Sequence, residues 1–111
     1  MKLAKDLVAA STVPLLLSIL AEGENYGYAL IQRVHELSAG EMEWTDGMLY
    51  PVLHWLEKEQ CVQSRWTQAE NGRQRKYYSL KPKGKRLLAE QKAQWSTVHE
   101  TLRRAWRIQH A

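Results

Sequence analysis

The stretch WTDGMLYPVLHWLEKEQ, residues 44–60, decides how this chain folds. Leu49, Leu53 and Leu56 recur at i, i+4 and i+7, which is one apolar stripe of a helix. Gly47 and Pro51 lie inside the run, and both are poor residues for a helix interior. Counted from Thr45 as N-cap, Asp46 and Gly47 fall in the first turn, where free N–H groups need no intrahelical acceptor. Asp46 there also suits the helix dipole. Pro51 sits a turn further in, where it costs a hydrogen bond or bends the helix slightly. The damage is confined to the N-terminal end. Asp46, Gly47, Tyr50, Pro51 and His54 lie off the leucine stripe and need a partner outside the core.

The flanking sequence supplies the other elements. A first helix is expected from about Leu3 to Ala21, with Pro14 either kinking it or sitting in the first turn of a helix that starts near Ser11. After the turn EGEN, Asn25 is the expected N-cap of a second helix, Tyr26 to about Leu37, with Leu30, Val34 and Leu37 facing inward. Gly40 suits the position after its end. EMEW (41–44) alternates Met42 and Trp44 with glutamates and reads as a short strand. CVQSRWTQ (61–68) and RQRKYYSL (73–80) read as two strands joined by the Asn-Gly turn of AENG. KPKG then leads into a long helix from Pro82 to about Ile108.

In that last helix Leu88, Gln91, Trp95, Val98, Leu102 and Ala105 follow steps of three and four, a heptad-like seam. A lone fold of 111 residues cannot fully bury it, so a homodimer joined by this helix is expected. The element order gives a mainly α fold with a small β-hairpin: a winged helix-turn-helix over residues 1–80 and a C-terminal dimerisation helix over 81–111. In that arrangement the second helix of the pair enters the major groove of DNA and the hairpin lies on the backbone. The outward face of the third helix then has its partner.

Composition bounds the alternatives. A length of 111 residues is one domain, and 44% hydrophobic with 25% charged residues is ordinary for a globular chain. Cys61 is the only cysteine, which excludes an intramolecular disulfide and fits a reducing compartment. The four histidines (35, 54, 99 and 110) are scattered, so neither a metal set nor a cofactor is expected. No phosphate loop or carboxylate pair emerges, and Cys61 has no basic partner, so no catalytic residue is assigned and the chain is not read as an enzyme. Lys2 and Lys5 before the apolar run Leu7 to Ala21 loosely imitate a secretory signal. Asp6 interrupts the charged region, no small-x-small cleavage site follows, and the run is too short and broken to span a bilayer. It reads as the core helix of a cytoplasmic protein.

Net charge is +4, unevenly spread. Residues 1–64 carry four Lys/Arg and nine Asp/Glu, whereas residues 65–111 carry twelve and three. From Arg73 to Arg86 there are seven basic residues and no acid, which marks either a polyanion partner or a solvated face. Lys83, Lys85 and Arg86 oppose the dipole of the last helix, and that favours an anion nearby.

Three blocks carry a family resemblance: YGYALIQRV (26–34), GMLYPVLHWLEKEQCVQSRW (47–66) and GRQRKYYSLKPKG (72–84). They cover most of the first 84 residues and resemble the signature blocks of PadR-type transcriptional regulators. The single C-terminal helix resembles the short subfamily, which includes a multidrug-responsive regulator. The resemblance implies a homodimeric repressor acting on a pseudo-palindromic operator in double-stranded DNA, with a planar aromatic or phenolic inducer in several members. It departs from the family at Gln60 and Lys81, where Gly and Thr are usual, and at Met48, where Thr or Ser is frequent. Asn71 before Gly72 stands where wings often read Gly-Gly.

The expected DNA contacts are Tyr26, Gly47, Tyr50, Pro51, His54, Arg73, Arg75 and Lys76. The competing assignments are Tyr50 packed on the wing, His54 merely exposed, and Tyr28 as either contact or core. Through the resemblance, Trp95 paired across a dimer axis is expected to sandwich a planar aromatic guest, with Leu7, Ala10, Ser11, Ser96 and His99 nearby; the competing assignment is a packed interface tryptophan with no cavity. A winged-helix module binding protein through the same face is the alternative.

Overall fold

The computed structural model describes residues 1–109, so His110 and Ala111 of the expected last segment lie outside the described residues. Among those described, the order is α1 (Lys5–Ala21), β1 (Asn25–Tyr26), α2 (Gly27–Leu37), α3 (Asp46–Lys58), β2 (Val62–Gln68), β3 (Gln74–Leu80) and α4 (Pro82–Gln109). The fold is mainly α, with an antiparallel sheet in the order β1-β3-β2. No helix of the described residues is long and apolar enough to cross a membrane.

α1 is the hub. It packs against α2, α3, α4 and β3, and it buries Leu16, Leu17, Ile19 and Leu20. The helix runs unbroken through Pro14, so it does not begin near Ser11. Its hydroxyls turn back on the helix: buried Thr12 donates to the Val8 carbonyl at 2.8 Å and Ser18 to the Pro14 carbonyl at 2.7 Å. Thr12 thereby enters the core without an orphaned donor. The leucine stripe of α3 is buried as expected, with Leu49, Leu53 and Leu56 fully enclosed. Leu30 and Val34 of α2 are equally buried, but Leu37 is 52% exposed, contrary to expectation.

The short strand expected at 41–44 does not form. Its inward alternation is real: Trp44 is buried and Met42 half-buried, yet both are docked by a loop rather than by a sheet. The Ser38 hydroxyl accepts the Met42 amide at 2.8 Å, and no strand lies alongside to complete a ladder. The third strand is instead Asn25–Tyr26, paired opposite Tyr78 and Tyr77. Asn25 consequently does not cap α2; the N-cap is Tyr26, and the Asn25 Oδ1 accepts the Tyr26 amide at 3.0 Å. Thr45 caps α3 as expected, its Oγ1 accepting the Met48 amide at 3.2 Å.

Two helix ends pass through a left-handed residue that is not glycine. α2 ends through Ala39 (φ 52°), with Gly40 (φ 83°) only the following residue. α3 ends through Gln60 (φ 65°), where the Cys61 amide reaches the Leu56 carbonyl at 2.8 Å and the Gln60 amide the Glu57 carbonyl at 3.1 Å. This double bond pattern satisfies carbonyls the helix would otherwise orphan. Gln60 accepts a bond from Lys81 Nζ at 2.6 Å, which gives that side chain a task glycine lacks.

Gly84 has a different reason, one the sequence did not disclose. A Cβ there would collide with the Cys61 carbonyl, which also accepts the Lys81 amide at 2.9 Å. The first turn of α4 therefore rides directly on the backbone leading into β2. Cys61 itself is buried.

Replacing Gln60 by glycine removes a strained backbone position at the loss of one exposed hydrogen bond. The Gln60→Gly variant is expected to gain about 0.5–1 kcal/mol in stability, read from the urea midpoint. An unchanged or lowered midpoint contradicts this account of the α3 end.

Candidate nucleic-acid interface

Burial of the leucine stripe turns the other side of α3 outward. Gly47, Tyr50, Pro51 and His54 are all exposed on it. A Cβ at Gly47 would meet only Thr45 Oγ1, at 3.8 Å, and its φ is unremarkable for any residue, so nothing inside the chain demands glycine there. Pro51 has no N–H to give the Gly47 carbonyl, which leaves that oxygen on the same outward surface. Tyr50 leans across the N-terminal end of α2. A Cβ on Gly27 would fall on its phenol, so the absent side chain at Gly27 forms the seat of Tyr50. The Tyr50 and His54 rings lie 6.3 Å apart.

The wing completes the surface. Its turn is tied by the Gly72 amide to the Ala69 carbonyl at 2.9 Å, with Gly72 at φ 81°, and by the Arg73 amide to Asn71 Oδ1 at 3.1 Å. Asn71 thus supplies the local acceptor and Gly72 the left-handed step. Tyr26, Tyr28, Tyr50, His54, Arg73, Arg75 and Lys76 line one open groove of about 690 Å³ between α3 and the wing. Six of the eight expected contact residues are brought together there; Gly47 and Pro51 extend the surface along α3. Tyr28 is 63% exposed and belongs to the groove rather than the core.

The basic residues divide into engaged and disengaged sets. Lys76 is half-buried, with Glu57 at 3.7 Å and the Trp66 and Tyr78 rings at 5.8 and 5.5 Å. Glu57 also receives the Ser64 hydroxyl. Lys76 therefore braces the wing against α3. Burial pushes the Tyr78 phenol above its ordinary range, helped by Glu57 and Tyr50 close by, so it stays protonated. Arg75 lies on the opposite sheet face, stacked 4.5 Å over the Tyr26 ring. Lys83 finds Glu59 at 3.9 Å, so part of the anion that the first turn of α4 calls for is intramolecular. Sequence reasoning missed the Glu57 brace because seven residues separate Glu57 from Ser64 and nothing in their spacing signals the pair.

The residues expected around a guest are arranged differently. Leu7, Ala10, Trp95, Ser96 and His99 are exposed on the single chain and Ser11 is half-buried. Trp95, Val98 and Leu102 leave an apolar stripe along α4 uncovered, and Trp106, eleven residues from Trp95, continues that face.

An outward helix beside a braced hairpin defines a winged-helix DNA-binding protein. The profile described as "Transcriptional regulator PadR-like family" matches residues 16–90. The chain belongs to that family and is a DNA-binding transcriptional regulator. It is similar to the transcriptional regulator YqjI of Escherichia coli, 27% identical over 88 residues that make up 79% of this chain and 41% of YqjI. Among solved structures, a PadR family regulator from Eggerthella lenta is 33% identical with TM-score 0.72, covering 87% of this chain and 79% of that one. A transcriptional regulator from Clostridium thermocellum shares the fold at TM-score 0.83 and 22% identity, with 92% of this chain and 96% of that one covered.

Gly27 in the groove and Gly47 beyond it are expected to respond differently to alanine. Gly47→Ala should raise stability by about 0.5 kcal/mol, through helix propensity alone, and leave the Tyr50 ring resonances in place. Gly27→Ala should displace those resonances. A destabilised Gly47→Ala protein contradicts the open space around that residue.

Proposed function

We propose that this regulator is a homodimeric repressor that grips the DNA backbone and one major-groove face through the groove between α3 and the wing. The observation that carries this reading is the convergence of Tyr26, Tyr50, His54, Arg73 and Arg75 on that groove, from three separate parts of the chain. Tyr26 and Tyr50 offer hydroxyls to phosphate, and Arg73 and Arg75 neutralise it. Gly47 and Pro51 let the α3 backbone approach closely, while His54 reaches a base edge or phosphate. Lys76 contributes through position and potential, since Glu57 already holds it. Such a partner places the protein in the cytoplasm.

The anisotropy of a labelled duplex taken from the DNA flanking the coding sequence reads this directly. Affinity should fall with salt by a slope of several counterions, and the site should be a pseudo-palindrome with half-sites roughly 10 bp, or a multiple, apart. Gly47→Ala should weaken binding in spite of its gain in stability. Salt-independent binding, or tighter binding by Gly47→Ala, overturns the assignment of this face.

Residues 1–80 form the DNA-binding unit in this reading, and residues 81–111 the dimerisation helix. The uncovered stripe of Trp95, Val98 and Leu102 supports the second copy, and Leu7 of α1 is exposed as well. Two Trp95 indoles near the dimer axis would then stack on a planar aromatic inducer, with Ala10, Ser11, Ser96 and His99 at its margin. Light scattering at micromolar concentration should give twice the chain mass. A planar aromatic dye should quench tryptophan emission and release DNA, and Trp95→Ala should remove both effects while keeping the dimer. A monomer sinks the first claim, and an unaltered response of Trp95→Ala sinks the second.

A further inference from the structure

One face of the small sheet carries a chain of contacts of which the DNA-binding reading uses only Tyr26 and Arg75. Tyr26 of β1, Tyr77 of β3 and Arg65 of β2 are lateral neighbours across the three strands. The Tyr26 and Tyr77 rings meet edge to face, with centroids 5.3 Å apart. The Arg65 guanidinium crosses the Tyr77 ring at 5.5 Å and grips both carboxylate oxygens of Glu24, its Nε at 2.9 Å and its NH2 on the other oxygen. On the far side, the Arg75 guanidinium stacks 4.5 Å over Tyr26. The contacts thus run in the order Glu24, Arg65, Tyr77, Tyr26, Arg75. At the acidic end, the Arg65 hydrogen bond holds the Glu24 carboxyl below its ordinary range. Arg65 is consumed by Glu24, whereas Arg75 has no acidic partner among the described residues.

We infer that Glu24 and Arg65 are positioning residues for DNA binding, clamping the Tyr77–Tyr26 platform that presents Arg75 to a phosphate. The clamp spans β2 to the residue before β1, so it also fixes the wing against the N-terminal end of α2. A flexible arginine loses rotamer freedom on binding, and stacking it beforehand moves that cost from the complex to the free protein. The inference rests on the proposed DNA-binding face and adds to it two residues that touch no DNA.

Charge makes the test decisive. Glu24→Gln removes a negative charge, so electrostatics alone predicts tighter binding to a polyanion. Positioning predicts the reverse: about five-fold weaker binding to a labelled 30-bp mixed-sequence duplex at fixed salt, with an unchanged melting temperature. Arg65→Lys keeps the charge but loses the bidentate grip, and should weaken binding similarly. In an Arg75→Gln background the Glu24→Gln effect should shrink to less than about two-fold, because the clamp has nothing left to present. Equal or tighter binding by Glu24→Gln overturns the inference and leaves the DNA-binding face standing, as does an undiminished effect in the Arg75→Gln background. Failure of the unaltered protein to bind the duplex overturns both.

Discussion

Burial of Leu49, Leu53 and Leu56 against the surrounding core is the constraint on which the rest depends. Each enclosed leucine contributes about 1.5–3 kcal/mol, so rotating α3 about its axis is prohibitively costly. Once those three point inward, Gly47, Tyr50, Pro51 and His54 can only point outward. The helix that looked defective is defective on one side only. Its glycine and proline weaken a turn that the Thr45 cap and the leucines hold in place, and that turn is the part turned to solvent.

The wing is held on two faces by two separate acid–base pairs. On the inner face, Glu57 gathers Lys76 and Ser64 and joins the sheet to α3. On the outer face, Arg65 bonds Glu24 across Tyr77 and joins the sheet to the start of α2. Both acids lie in the acidic first part of the chain and both cations in the basic remainder, so the charge asymmetry of the sequence serves internal attachment. The ion pairs are exposed or half-exposed and each adds little to stability, but together they limit the angles the hairpin can take.

Much of this was legible beforehand. The three leucines, the Thr45 cap, the hairpin and the long last helix each rest on a local signal of period, cap or turn. The strand at Asn25–Tyr26 was hidden because two residues carry no periodicity, and Asn25 imitates a helix cap. EMEW failed in the opposite way: its alternation is inward docking of Met42 and Trp44, which sequence cannot distinguish from pairing. Gly84 and Gly27 matter through a neighbour 23 residues away in the chain, the Cys61 carbonyl and the Tyr50 phenol, and no local pattern reports such contacts. The same limit hid Glu24 and Arg65, 41 residues apart.

The central claim is that α3 and the wing form one preformed surface for duplex DNA. Titrating a 15N-labelled sample with duplex, and following backbone amides, tests it most directly. The account predicts that the largest shifts cluster at Gly47, Tyr50, His54, Gly72, Arg73 and Arg75, while amides in the buried half of α1, Leu16 to Leu20, stay in place. Shifts concentrated along α4 or on the outer face of α2, with the α3 and wing amides unmoved, would contradict it.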